Sequence, residues 1–194
     1  MLTHGPRQAH VWLIFDVRQS PSILSAHPIR LTNFKFREPE DAGDEKLLAD
    51  IHGHGWHVVA VPEDSHGPGF AFTVGLYLRT LQPEILIMGV PPSPSGRVLN
   101  AIGDYLLGGG ELVAEKRYAD FVDGREVIFR PIAACHYRDY LGYASWFYRS
   151  WPDGFPAWQC IWPDLAGVFP HEPGFEERFR TFQRDLSHEP PVSI

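Results

Sequence analysis

HGHGWHVVAVPEDSHGPGFAFTVGLY, residues 52–77, holds two runs rich in Val and Phe around a cluster of turn residues, and its reading decides the fold. WHVVAVP is dense in β-branched side chains, which favour strands. FAFTVGL alternates bulky with small residues, while Gly67, Pro68 and Gly69 between the two runs disfavour continuation of either helix or ladder. A hairpin is expected here. Upstream, DEKLLADIHGHG puts Leu47, Leu48 and Ile51 on one face of a helix that Asp44 would cap and Gly53 or Gly55 would end. Downstream, EILIMGV (84–90) is apolar on both alternating faces, as suits a central strand covered on both sides.

Further along, residues 93–108 read as a second helix, capped by Ser95 and packing Val98, Leu99, Ile102, Tyr105 and Leu106 inward. Strands are expected at 111–121 and in REVIFRPIA, with Asp123 and Gly124 between them and Pro131 at an edge or bulge. A third helix over 136–149 precedes the strand AWQCIW, and FEERFRTFQRDL closes the pattern as an amphipathic helix. Residues 1–43 form an extension with one expected strand, HVWLIFDV, and 44–194 form the main domain. This mixed order of hairpins and helices predicts a single α+β domain with a mixed or largely antiparallel sheet flanked by helices.

Composition narrows the function. A chain of 194 residues suffices for one substantial core, and 18 Gly with 18 Pro imply many turns. The net charge of −7, without a basic block, gives no source for the counterion release that drives nucleic-acid binding. Two cysteines, Cys135 and Cys160, are too few for a disulfide framework and fit a reducing compartment. No apolar run approaches the ~20 residues of a membrane helix, and MLTHGPRQAHVWLIFDV lacks a basic region before its apolar one. A soluble cytoplasmic protein is expected, with no nucleic-acid or membrane partner.

Candidate chemistry is scattered along the chain. His52, His54 and His57 have the spacing H-x-H-x-x-H, a weak metal-ligand pattern that a helix end and a strand need not bring to one point. Period two along FAFTVGL sets Ala71, Thr73 and Gly75 on one small face, where a ligand or another backbone can approach closely, with Thr73 its sole hydroxyl. Tyr137, Tyr140, Tyr143, Trp146, Phe147, Tyr148 and Trp151 give the third helix more aromatic surface than one core stripe needs. Cys135 and His136 are adjacent, which alone does not make a thiolate–imidazole pair. Gly108–Gly110 follows a helix and precedes a strand, the reverse of a phosphate-binding loop, and reads as a helix stop. Glu63, Asp64 and Asp164 read as turn residues, whereas Glu84, at the mouth of a buried strand, is the acidic group of most interest.

Together GWHVVAVPED, GPGFAFTVGLY, PEILIMGV and WQCIWPDLAGVFPHEPGF resemble the bacterial family of domain of unknown function 4262 over about residues 45–176. Gly55, Trp56, Thr73, Gly75, Leu76, Pro83, Glu84, Trp162, Pro163, Asp164, Gly167, Phe169 and Pro170 carry the resemblance. It implies a small cytosolic domain and brings no established reaction. Family members often show His-Pro-Glu where this chain has Gln82, Pro83 and Glu84, which counts against an essential imidazole at position 82.

Three functions are compatible with these residues. The first is a small-molecule pocket or enzyme in which Trp56, Thr73, Tyr137, Tyr140, Trp162 and Asp164 bind a ligand and Glu84 or His136 handles a proton. The second is a non-catalytic protein-interaction module, and the third a metal-dependent hydrolase using His52, His54 and His57. Cofactor, reaction and oligomeric state are left open.

Overall fold

The computed structural model describes residues 34–189 except 66 and 123. The expected hairpin is present: β1 (His57–Val61) pairs antiparallel with β2 (Phe70–Val74), His57 opposite Val74 and Val61 opposite Phe70. After the short helix α2 (Leu76–Thr80), β3 (Glu84–Met88) joins antiparallel to β2 and is buried along its whole length, the central strand its two apolar faces require. Helix α3 (Pro92–Leu107), β4 (Tyr118–Val122), β5 (Arg125–Pro131), the short helices α4 (Tyr137–Tyr140) and α5 (Gly142–Phe147), and β6 (Ala157–Ile161) follow. The six strands make one sheet in the order β1-β2-β3-β6-β5-β4, with β3 and β6 parallel and every other pair antiparallel. A mixed sheet with helices on its faces gives the α+β class. Among the described residues no helix is long and apolar enough to cross a membrane.

Strand alternation divides the core in two. Val58, Ala60, Ala71, Ile85, Ile87 and Phe129 face α3, which contributes Val98, Leu99, Ile102 and Leu106. Val59, Phe72, Val74, Leu86 and Met88 face the opposite layer, formed by Leu47, Leu48 and Ile51 of helix α1 (Ala42–His54), by Ala144 and Phe147 of α5, and by Tyr148 and Leu186. Phe34 and Phe36 pack their rings on Phe147, so the chain joins this layer well before α1 begins.

Local sequence rules locate most elements and misplace some ends. Helix α1 is capped by Asp41, whose Oδ1 accepts the Gly43 and Asp44 amides at 2.8 and 3.0 Å; the expected cap Asp44 lies inside the first turn and accepts the Glu40 amide. Gly55, at φ 106°, ends the helix as expected. Ser95 caps nothing either: α3 starts after Pro91, and the Ser95 hydroxyl bonds back to the Pro92 carbonyl. Of the strand expected over 111–121 only residues 118–121 are strand, within β4. The hairpin turn at Gly124 holds, with Val122 opposite Arg125. Pro131 ends β5, where β6 alone pairs with it, so its missing N–H costs no ladder bond on the β4 side.

Two larger expectations are corrected. The helix over 136–149 is broken into the 3₁₀ turn Ala134–His136, α4, α5 and a second 3₁₀ turn, Tyr148–Ser150. The terminal amphipathic helix reduces to a 3₁₀ turn at Glu177–Thr181, with no side-chain cap at Glu176; residues 183–188 run as a non-helical strap whose backbone groups are taken by other parts of the domain. The strand expected in HVWLIFDV lies outside the described residues.

Trp56 wedges between β1 and α3. Its indole N–H donates to Asn100 Oδ1 at 3.1 Å, and a Cβ at Gly103 would stand 2.4 Å from its ring. Gly103→Ala is therefore expected to destabilise the domain by about 2 kcal/mol through overpacking. Gly53 lies exposed in α1 with nothing within 4 Å of a Cβ, so Gly53→Ala should stabilise by roughly 0.5–1 kcal/mol. Urea midpoints of the two variants would measure the contrast.

Candidate functional site

The start of β3 brings Glu84 to the end of β2 and the entry of α2. Its carboxylate is wholly buried and receives four donors: the Thr73 hydroxyl on Oε2 at 2.5 Å, and on Oε1 the Tyr148 hydroxyl at 2.5 Å and the Gly75 and Tyr77 amides at 2.8 and 3.1 Å. Each hydroxyl is itself oriented. Thr73 accepts the Ile85 amide at 2.9 Å and Tyr148 accepts the Leu78 amide at 3.2 Å, so the hydrogen of each points at Glu84. Gly75 makes the approach possible: its φ is 100°, and a Cβ there would lie 2.8 Å from Ile51. Burial pushes the Glu84 carboxyl above its ordinary value, with the Thr73 and Tyr148 hydroxyls and the Tyr77 and Gly75 amides pulling the other way. The Tyr148 hydroxyl is driven well up by burial and by the neighbouring carboxylate.

Thr73 and Glu84 thus meet, although each saturates the other rather than facing a groove. Trp56 is a core residue, as described above. Tyr137 donates to the Phe155 carbonyl and accepts the Ala157 amide at 2.9 Å; half-buried Tyr140 lies edge-on to Phe70 at 5.3 Å. Trp162 donates its indole N–H to the Met88 carbonyl at 2.8 Å. Asp164 organises the loop after β6, accepting the Ala166 and Val168 amides at 2.9 Å and the Glu176 amide at 3.0 Å. Burial raises its carboxyl, and these amides with that of Gly167 more than offset this, for a net fall.

The three histidines stay apart in their bonding. His52 donates to the Leu48 carbonyl with its ring on Phe36, His54 is exposed, and His57 donates Nδ1–H to Asp50 at 2.6 Å, where Lys46 also binds. Among the described residues no group of three or more His, Cys, Asp or Glu is placed to hold a metal ion. Cys160 is buried in the core, which pushes its thiol up, and Cys135 is exposed.

Another constellation sits on the face opposite α3, where the strap 183–188 crosses β3, β6 and β5. Gln159, 1% exposed on β6, donates Nε2–H to the Arg184 carbonyl at 2.7 Å and accepts the Leu186 amide at 2.9 Å. The Leu186 carbonyl receives the Ala133 amide at 2.8 Å, the His188 carbonyl receives His136 Nε2–H at 2.8 Å, and the Arg184 amide reaches Met88 Sδ at 3.4 Å. Leu186, 1% exposed, enters the apolar cluster that includes Met88, Ile132 and Leu141. Asp185 turns outward to Arg130 at 2.9 Å, a guanidinium that Glu115 also grips. Residues 184, 186 and 188 thus give their backbone to the domain while 185 contributes a charge. Of the nominated residues, His136 bonds the strap here and Trp162 meets the strap's first residue, Gln183, through its own backbone. Gln159, Arg130 and the strap escaped sequence reading because 175–186 has helical periodicity and because a lone glutamine in a strand carries no signal of what it binds.

A family model described as Domain of unknown function (DUF4262) matches residues 50–176. Neither a curated protein nor a solved structure gives a match. Several of the positions that carry the resemblance fall on two of the structures above: Thr73, Gly75 and Glu84 in the buried carboxylate network, and Trp162, Asp164 and Phe169 in the loop that follows β6. The strap lies beyond the matched residues.

Because all four groups around Glu84 donate, Glu84→Gln sets an amide N–H against another donor and is expected to cost about 2–3 kcal/mol. The folded carboxyl holds its proton more tightly than the unfolded one, so stability falls as pH rises from the ordinary 4.5 to the raised folded value. Urea unfolding from mildly acidic to neutral pH should show that slope in the wild type and its loss in Glu84→Gln. An equally stable variant with an unchanged slope would contradict this role.

Proposed function

The chain belongs to the DUF4262 family, and from the geometry above we propose that the domain is a non-catalytic interaction module that captures a short, non-helical polypeptide segment. The observation that carries this reading is the way Gln159, Ala133 and His136 meet three residues of a backbone. A buried side-chain amide that both donates to and accepts from one segment reads a peptide much as a neighbouring strand does. A leucine pocket and a cation at Arg130 add a side-chain anchor and an ionic contact.

The magnitudes suit capture of moderate strength. Burying a leucine is worth ~1.5–3 kcal/mol, and each net hydrogen bond ~1 kcal/mol. An ion pair of this kind adds ~0–1 kcal/mol. At the low end of the ~4–15 kcal/mol cost of association a free segment binds with an affinity that titration can measure, and tethering strengthens it further. The pocket reading has less support, since Thr73 and Glu84 are committed to each other and Trp56, Tyr137 and Trp162 to the fold. The hydrolase reading would need His52, His54 and His57 to act together, and each is engaged or placed separately.

Display of a random peptide library against the full-length chain tests the proposal. Selected peptides are expected to lose at least tenfold in affinity when Gln159→Leu removes the amide, with the fold intact by circular dichroism. Failure to select any peptide, or affinity indifferent to Gln159→Leu, would overturn it.

A further inference from the structure

The groove is built from residues 88–159, inside the family match, and its occupant comes from 184–188, outside it. We infer that the strap is a tethered ligand: the groove's partner is a protein segment in which an acidic residue directly precedes a leucine, and Arg184–His188 occupies that site in cis. The inference rests on the interaction reading above and names the partner's chemistry and its control.

Each part of the recognition is visible in the strap. The pair Asp185–Leu186 splits its side chains, the carboxylate going to Arg130 at 2.9 Å and the isobutyl group into the apolar layer. Charge selects the residue before the leucine, because the Arg130 side chain is only 13% exposed and fixed by two bonds it donates to Glu115, at 2.6 and 3.2 Å. Backbone recognition at 184, 186 and 188 is independent of side chains, so a partner needs only the acidic–leucine pair in register. Gln183 clasps the backbone of Trp162 through both ends of its amide, at 2.6 and 3.3 Å, which anchors the strap just before the groove. An anchored segment competes at an effective concentration in the millimolar range. A partner must therefore outlast that competition or arrive when the strap is displaced.

Asp185 gives the device an acid-sensitive edge. Burial raises its carboxyl, but the Ser187 hydroxyl and amide and the Arg130 guanidinium lower it further, for a net fall. Its ionic contribution is present above the ordinary carboxylate range and is lost as pH falls through the lowered value. Arg130, Glu115 and Ser187 face it.

The test uses the full-length chain carrying Leu186→Asp, which expels the strap, and a fluorescent peptide of residues 182–189, FQRDLSHE. Fluorescence anisotropy is expected to show binding at least tenfold tighter to this variant than to the wild type. It should fall at least tenfold when alanine replaces the peptide's leucine or lysine its aspartate, and also when Gln159→Leu is added to the protein. If Leu186→Asp does not fold, Asp185→Lys, at an exposed position, opposes Arg130 and serves in its place. No binding of the strap peptide, while library-selected peptides still bind, would overturn the tethered-ligand assignment and leave the interaction reading standing; no binding of either overturns both. Exchange of straps between two wild-type copies, seen as a concentration-dependent dimer in sedimentation, would make a second copy the occupant and also overturn it.

Discussion

The buried carboxylate of Glu84 is the constraint on which the domain's architecture depends. One group at the start of β3 fixes the last residues of β2 through Thr73, the entry of α2 through the Gly75 and Tyr77 amides, and the 3₁₀ turn after α5 through Tyr148. Elements far apart in the chain are thereby set to within a hydrogen bond of a single point. Burying a charge of this kind is costly, and its partners are strictly complementary: every neighbour donates, and the two hydroxyls are aligned by backbone amides behind them. Such a network favours one arrangement over near alternatives, because any slip of β2 against β3 strands both donors and acceptor.

That position of Tyr148 also orders the layer in which the groove lies. Phe147 and Tyr148 are held against the sheet, and Phe34, Phe36 and Phe155 gather on them. Beside this aromatic layer the strap crosses the sheet face over β3, β6 and β5, where Gln159, His136 and the Ala133 amide bond its backbone. The strap closes its part of the face both with Leu186, buried in the apolar layer, and with the polar contacts made to its backbone.

Sequence reading recovered what depends on local pattern. The hairpin of 52–77, the doubly covered strand EILIMGV and the α3 stripe follow from alternation and helical period, and the structure keeps them except for Tyr105, expected inward and found exposed. The interest of Glu84 was legible as a carboxylate at the mouth of a buried strand, although its role was not, because Tyr148 lies 64 residues away and no local rule pairs them. Asp164 read correctly as a turn former. FEERFRTFQRDL misled for a physical reason: its spacing of Phe175, Phe179 and Phe182 suits a helix, yet Gln159 and Ala133 take the strap's backbone groups, and no cap holds a helix start at Glu176. Tertiary bonds outbid helical propensity there, and the groove went unseen with them.

On the tethered-ligand proposal the strap, although Leu186 is buried in the apolar layer, opens separately from the rest of the domain. Native-state hydrogen exchange in the full-length chain measures this directly, by comparing the Leu186 amide, bonded to the Gln159 side chain, with the Cys160 amide inside β6. The account predicts that Leu186 exchanges through a local opening at least about 2 kcal/mol less costly than that of Cys160 and nearly independent of denaturant. Equal opening free energies with the same denaturant dependence would contradict it, and would make the strap an inseparable element of the fold.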